Sequence, residues 1–224
     1  MARPTLEQFD PSLIAWHNEF IDVFYNKIIP RSLTHGTQQI MLSGAVGSAK
    51  SLVMEHIISR YLVEVPNAHI GIGRLTMPDL KATLYTNICE HLPERILAKP
   101  PAKVSPKIEL INGSELTGKS WSDYNLAKLG SYEFNAFAIE ELTESDRPDA
   151  YNVILQRIRR NGDNGAIVPK FLISATNPNS PSHWAYKKLI EKAGWVDGKR
   201  AQGKDLDDNI WIFYSVTTDN PFLD

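Results

Sequence analysis

With a single cysteine, Cys89, the chain cannot form an internal disulfide, and its histidines show no spacing that would join that thiol in a zinc site. A reducing, cytoplasmic setting is the expectation that follows. No run of about 18 apolar residues occurs, so no membrane-spanning helix is expected, and Met1 to Pro11 lacks the apolar core of a secretory signal. An excess of one charge is missing too. The 24 basic and 26 acidic residues give a formal net charge of -2, so no global field draws the chain to nucleic acid. Any DNA contact must come from a local patch or from assembly into a ring. No internal repeat, low-complexity tract or interdomain linker is visible, and 224 residues suit one generous domain or one domain with an added arm.

What is present is Gly44-Ala45-Val46-Gly47-Ser48-Ala49-Lys50-Ser51. It looks like the Walker A pattern G-x-x-x-x-G-K-S/T with Ala49 in place of the second glycine. In such a loop backbone N–H groups cradle phosphates, the lysine reaches the terminal phosphates and the hydroxyl holds Mg2+. Ile40-Met41-Leu42 suits a buried strand, and Ser51 to Val65 has helical spacing with Leu52, His56, Ile57 and Leu62 among its core candidates. A helix starting near Lys50 aims its N-terminal N–H groups and positive dipole end at the phosphates. Ala49 is expected to keep a negative φ, which glycine would not require. Gln38 and Gln39, just before the strand, are candidates for reading adenine through their amides or for a plain surface role.

Leu6 to Ile29 places Leu13, Ile14, Trp16, Phe20, Ile21, Phe24 and Ile28 at helical spacing, which predicts an arm ended by Pro30 that packs on the core or on a partner. His69 to Arg74 reads as a second strand and Met77 to His91 as a second helix ended by Pro93. Asn112-Gly113, between Lys107 to Ile111 and Ser114 to Thr117, suits a type I′ hairpin turn. Phe134 to Ile139, Phe171 to Ser174 and Ile210 to Val216 read as further strands, and Arg147 to Arg160 and His183 to Ala193 as helices. The alternation is that of a parallel α/β sheet.

Ala136-Phe137-Ala138-Ile139 runs into Glu140-Glu141, an apolar strand delivering two carboxylates where ligands bind in an open parallel sheet. This resembles a Walker B motif. Glu140 would hold Mg2+ through water together with Ser51, and Glu141 would polarise the water attacking the γ-phosphate, with Lys50 as its catalytic counterpart. The usual first acid is aspartate, so the longer Glu140 must shift its metal contact. Phe171 to Ser174 then leads into Ala175-Thr176-Asn177-Pro178-Asn179. In P-loop ATPases with this acid pair another strand lies between the Walker A and Walker B strands, and Ser174, Thr176 or Asn177 is placed to sense the γ-phosphate.

Taken in order, these segments resemble the ATPase domain of the large terminase subunit of tailed bacteriophages. The resemblance is carried by Gly44 to Ser51, by Arg74-Leu75-Thr76-Met77-Pro78-Asp79-Leu80, by Leu129-Gly130 through Glu144, by Ser174 to Asn179 as a coupling motif (Ser174, Ala175, Thr176 and Asn177), and by Thr218 to Leu223 as the exit from the domain. It implies an α/β P-loop NTPase of the ASCE, RecA-like type, with a mainly parallel central sheet flanked by helices, an inserted β-hairpin and an N-terminal helical arm. The expected division is residues 1–35 for the arm and 36–224 for the ATPase domain, with the family's nuclease domain absent from this chain and no nuclease residue assigned. The implied activity is ATP hydrolysis with Mg2+ that powers movement of double-stranded DNA into a procapsid. The implied partners are portal protein and small terminase subunit, at the portal vertex in the host cytoplasm and away from any membrane. The active form is a homo-oligomeric ring, with a monomer in isolation.

The family tends to carry an arginine inside Walker A where this chain has Val46, so a neighbouring subunit is the expected source of the missing cation. Lys128 and Arg157 are the candidates for that trans role, and Lys187-Lys188 with Arg157 to Arg160 for DNA contact. Two other functions share the same cradle: a P-loop phosphotransferase, disfavoured by the paired acids, and a nucleotide-gated assembly protein with little turnover.

Overall fold

The computed structural model describes residues 15–102, 104–122, 126–177 and 180–220. A single nine-stranded sheet organises them, in the order β3-β4-β2-β5-β6-β1-β9-β7-β8. The strands are β1 (Gln38–Gly44), β2 (His69–Arg74), β3 (Lys107–Glu109), β4 (Glu115–Ser120), β5 (Ala136–Ile139), β6 (Phe171–Thr176), β7 (Ala193–Val196), β8 (Lys199–Arg200) and β9 (Asp207–Ser215). Every pairing is parallel except β3 with β4 and β7 with β8, the hairpins that close the two edges.

A parallel sheet must be covered on both faces, which is why its central strands are apolar at successive positions. Period-two alternation divides them between two cores. Ile40, Leu42, Ala136, Ala138, Phe171, Ile173, Trp211 and Phe213 join one cluster, while Met41, Phe137, Ile139, Leu172, Ile210 and Ile212 join the other. The first face is covered by α1 (Ala15–Val23), α3 (Lys50–Glu64) and α5 (Thr86–His91); α6 (Ala127–Gly130) and α7 (Asp149–Arg157) lie on the second.

The N-terminal arm departs from expectation at Pro30. Helix continues past it, from α1 through a π-type turn at Phe24–Ile28 into α2 (Ile29–His35). The wide turn, in which the Ile29 N–H donates to Phe24 O, opens the backbone just before the proline, where the missing N–H and the ring would otherwise break an α register. The described part of the arm packs on the core: Phe24 meets Phe171 edge to face at 5.2 Å and Phe20 meets Phe213 at 4.8 Å. Its expected residues Leu13 and Ile14 lie outside the described residues.

The second predicted helix is continuous from α4 (Met77–Leu80) through a π-type turn at Lys81–Tyr85 into α5, with Thr76 capping the start by accepting from Asp79 N. The hairpin at Asn112-Gly113 forms, but not as type I′. Only Gly113 is left-handed, at φ 83°. Gly113 N donates to Leu110 O and Leu110 N to Ser114 O, which makes a three-residue connection. Asn112 is occupied otherwise: its amide donates to Leu62 O and Val63 O, tying the hairpin to the end of α3. The predicted helix to Ala193 ends early, with a π-type turn at Tyr186–Ile190, because Ala193 already begins β7. The signal for that second hairpin stands in the sequence as Asp197-Gly198, both left-handed at φ 46° and 71°.

Candidate nucleotide site

β1 delivers the glycine loop at its carboxyl end, and α3 leaves it. Gly44 is required there: a Cβ would lie 2.2 Å from Ser215 Oγ and 2.3 Å from Ser215 O on β9. Gly47 turns the loop at φ 82°, and Val46 stands at the tip, 75% exposed. Ala49 departs from expectation. It is left-handed, at φ 64° and ψ 26°, because the loop needs here the conformation that glycine supplies elsewhere.

All six carbonyls from Gly44 to Ala49 are engaged by side chains. Lys50 Nζ donates to Gly44 O and Ala45 O at 2.7 Å, and Ser48 Oγ also donates to Ala45 O. Thr217 Oγ1 donates to Val46 O at 3.0 Å and Asn220 Nδ2 to Gly47 O at 2.7 Å. Trp16 Nε1 and His17 Nε2 reach Ser48 O and Ala49 O, each at 3.1 Å. Four of these carbonyls, Val46 to Ala49, are held by side chains from outside the loop, and each trans peptide places its N–H opposite its C=O. Among the described residues, the amides of Val46, Gly47, Ala49, Lys50, Ser51 and Leu52 have no backbone acceptor. A concavity of free N–H groups at a helix start is an anion site.

Lys50 is buried, which lowers its pKa while the Glu141 carboxylate pulls the other way. Its Nζ also lies 3.4 Å from Asn177 Oδ1. That contact is possible because β6 lies between β1 and β5, as the acid pair suggested.

At the end of β5, Glu140 stays on the ladder through its N–H to Gly73 O, and its buried carboxylate accepts from Thr83 Oγ1 and, at 3.4 Å, from Arg74 Nη1. Glu141 turns left-handed at φ 48°. Burial raises the Glu141 pKa; Arg74 and Lys50 lower it, and Glu144 and Glu140 raise it further. Arg74, at the end of β2, holds Glu144 at 2.7 Å as well as Glu140. It is thus a cation inside the chain's own acid cluster, and its strand-end position was the one sequence signal for it. No comparable signal marked Trp16 and His17.

Four expected site residues serve the fold instead. Gln38 is fully buried within β1, accepting from Trp211 Nε1 and donating to Asn209 Oδ1 and Gly36 O; Gln39 accepts from Tyr151 Oη. Neither amide is placed to read a base. Ser174 donates to Ile40 O across the sheet and Ala175 belongs to the core, on opposite faces of β6. Thr176, by contrast, meets Thr143 Oγ1 at 2.6 Å and links the β6 end to the segment after Glu141. Pro178 and Asn179 lie outside the described residues, as do Pro221 to Leu223.

The two trans candidates lie away from the chain's own loop. Arg157 closes α7 and its carbonyl accepts from Phe134 N, at the amino end of β5 and opposite Glu140. Lys128 is exposed on α6. The basic cluster proposed for DNA is partly committed: Arg159 pairs with Glu133 at 2.6 Å, and Arg160 Nε is buried.

A family model for the phage terminase large subunit matches residues 36–224. The chain belongs to that family. No curated protein matches it. The terminase fold is shared with solved structures at low identity. The large terminase of a thermophilic bacteriophage superimposes with a TM-score of 0.68 at 15% identity, over 92% of this chain and 47% of that one. The HK97 bacteriophage large terminase gives 0.61 at 16%, over 85% of this chain and 37% of that one. The large terminase ATPase domain of a Thermus phage gives 0.53 at 13%, over 96% and 86%. The chain therefore spans less than half the length of the first two. The thermophilic-phage terminase has also been solved with ADP and with ATP-gamma-S. No helix among the described residues is long and apolar enough to cross a membrane.

Proposed function

We propose that this terminase chain is an ATP-hydrolysing motor domain that drives double-stranded DNA into a procapsid. The observation carrying the reading is the loop itself, in which the carbonyls of Val46 to Ala49 are held by side chains from outside it, amides are left without a backbone acceptor, and Lys50 Nζ lies 3.4 Å from Asn177 Oδ1 at the end of β6. The amides of Val46, Gly47, Ala49, Lys50, Ser51 and Leu52 bind the phosphates, and Lys50 leaves the loop carbonyls to reach the terminal ones. Ser51 and Glu140 would hold Mg2+, since one hydroxyl and one carboxylate suit an ion that dehydrates reluctantly, and the ion would supply charge neutralisation at the phosphates.

Glu141 orients the attacking water. Thr176 and Asn177 carry the state of the phosphates to the strand end and, through Thr143, to the acidic segment. The arm (1–35) works as part of the ATPase unit (36–224), since its described part, from residue 15, packs on the same core and touches the loop. A ring of copies, portal protein and a small terminase subunit complete the motor at the portal vertex in the host cytoplasm. There Lys128 or Arg157 of a neighbour supplies charge to the site. Hydrolysis measured against protein concentration, with and without double-stranded DNA at several salt concentrations, tests the reading. The expected result is a specific activity that rises with concentration and a DNA stimulation that weakens with salt. Transfer of labelled γ-phosphate to an acceptor, with no free phosphate released, would overturn it.

A further inference from the structure

Ala49 is held in a conformation that an L-residue with a Cβ rarely adopts, since that atom crowds the following carbonyl. Its two backbone torsions set the angle between two peptide planes, one carrying Ser48 O and the Ala49 N–H, the other carrying Ala49 O and the Lys50 N–H. Consecutive residues of α1 hold one plane each. The Trp16 indole donates to Ser48 O and the His17 ring to Ala49 O, both at 3.1 Å. A carbonyl only accepts, so His17 Nε2 carries its proton in this contact. Burial lowers the ring's pKa to about 4, which keeps it neutral. The two rings also brace each other edge to face at 4.4 Å. Both residues precede the segment matched to the terminase family, which begins at residue 36.

We propose that Trp16 and His17 are positioning residues of the nucleotide site: by pinning the peptide planes on either side of Ala49 they hold it left-handed and aim the N–H groups of Ala49 and Lys50 at phosphate. Glycine at this position would adopt the conformation unaided. Alanine makes the clamp necessary. The inference rests on the nucleotide reading of the loop, and its test separates the two.

ATP binding with Mg2+ is measured by calorimetry on the full chain. His17→Phe keeps the ring and loses the donor; it is expected to weaken binding about 5-fold, the worth of one hydrogen bond. His17→Gln, whose Nε2 reaches the same carbonyl, is expected to restore binding to within about 2-fold of wild type. With Ala49→Gly in place the His17→Phe penalty is expected to fall below about 2-fold. In hydrolysis the loss falls on KM while kcat is kept. Should His17→Phe not fold, Trp16→Phe carries the same cycle, removing the indole N–H along with the rest of the bicycle beyond one aromatic ring, and the Ala49→Gly background isolates the part of its penalty that acts through the loop. Wild-type chain that binds no ATP overturns the nucleotide reading itself. Wild-type binding that His17→Phe and Trp16→Phe leave intact, or penalties equal with and without Ala49→Gly, overturns the clamp alone.

Discussion

Replacing Glu141 by Gln should separate chemistry from binding and from stability, moving each in its own direction. The side chain is half-buried and lies within the fields of Arg74, Glu144, Glu140 and Lys50. Gln keeps its length and shape, so the loop amides and Lys50 are undisturbed and ATP affinity should stay within about 3-fold, or under 1 kcal/mol. Hydrolysis loses its water-orienting base and should fall by about 10² to 10⁴, the usual worth of such a group. Stability should not fall. The folded-state pKa of Glu141 is raised, first by burial and then, against Arg74 and Lys50, by Glu144 and Glu140.

A carboxyl raised in this way contributes stability that is fully present below its unfolded pKa and lost as pH rises through the folded one. Above that folded pKa the ionised Glu141 therefore weakens the fold, and Gln, which cannot ionise, relieves that. The same sign places the acid limb of wild-type hydrolysis above the ordinary carboxylate range. Phosphate release at saturating ATP, calorimetric ATP binding and thermal melts at neutral pH measure the three effects. Undiminished hydrolysis would refute the role of Glu141, and a clear drop in melting temperature would refute the electrostatic account of its surroundings.

Gln38→Ala should cost about 1–3 kcal/mol of stability, because the buried Trp211 Nε1 loses its acceptor, while the ATP dissociation constant stays unchanged. Denaturant unfolding and nucleotide titration check both halves, and a large loss of ATP affinity in a folded variant would return Gln38 to the base-reading role. Arg74→Met removes the cation that lowers the Glu141 pKa, so the acid limb of the pH–rate profile should move to higher pH, with a destabilised fold because buried Glu140 loses an ion partner. A profile that does not move would show that Arg74 is electrostatically silent at the site.

Local chemistry made the phosphate loop, the acid pair and the parallel alternation legible from sequence alone. A glycine turn followed by lysine and hydroxyl, and an apolar strand ending in two acids, are patterns whose meaning is contained within a few consecutive residues. The placement of one strand, β6, between β1 and β5 could also be anticipated from the adjacency of Glu140 and Glu141. Where each side chain turns was less legible. Gln38 and Ser174 carry the same amide and hydroxyl as true ligand-binding residues, and only pairing across β1, β6 and β9 shows them spent on the fold. Ala49 shows the same division more sharply. Its departure from the loop pattern is plain in the sequence, but its left-handed backbone depends on two carbonyl contacts that span 32 residues. Composition and periodicity determined that this chain would build a phosphate cradle on a parallel sheet, because those signals are local. The tertiary structure alone decided what holds the cradle open and that Arg74 stands among its acids, because contacts between distant segments leave no period in the sequence.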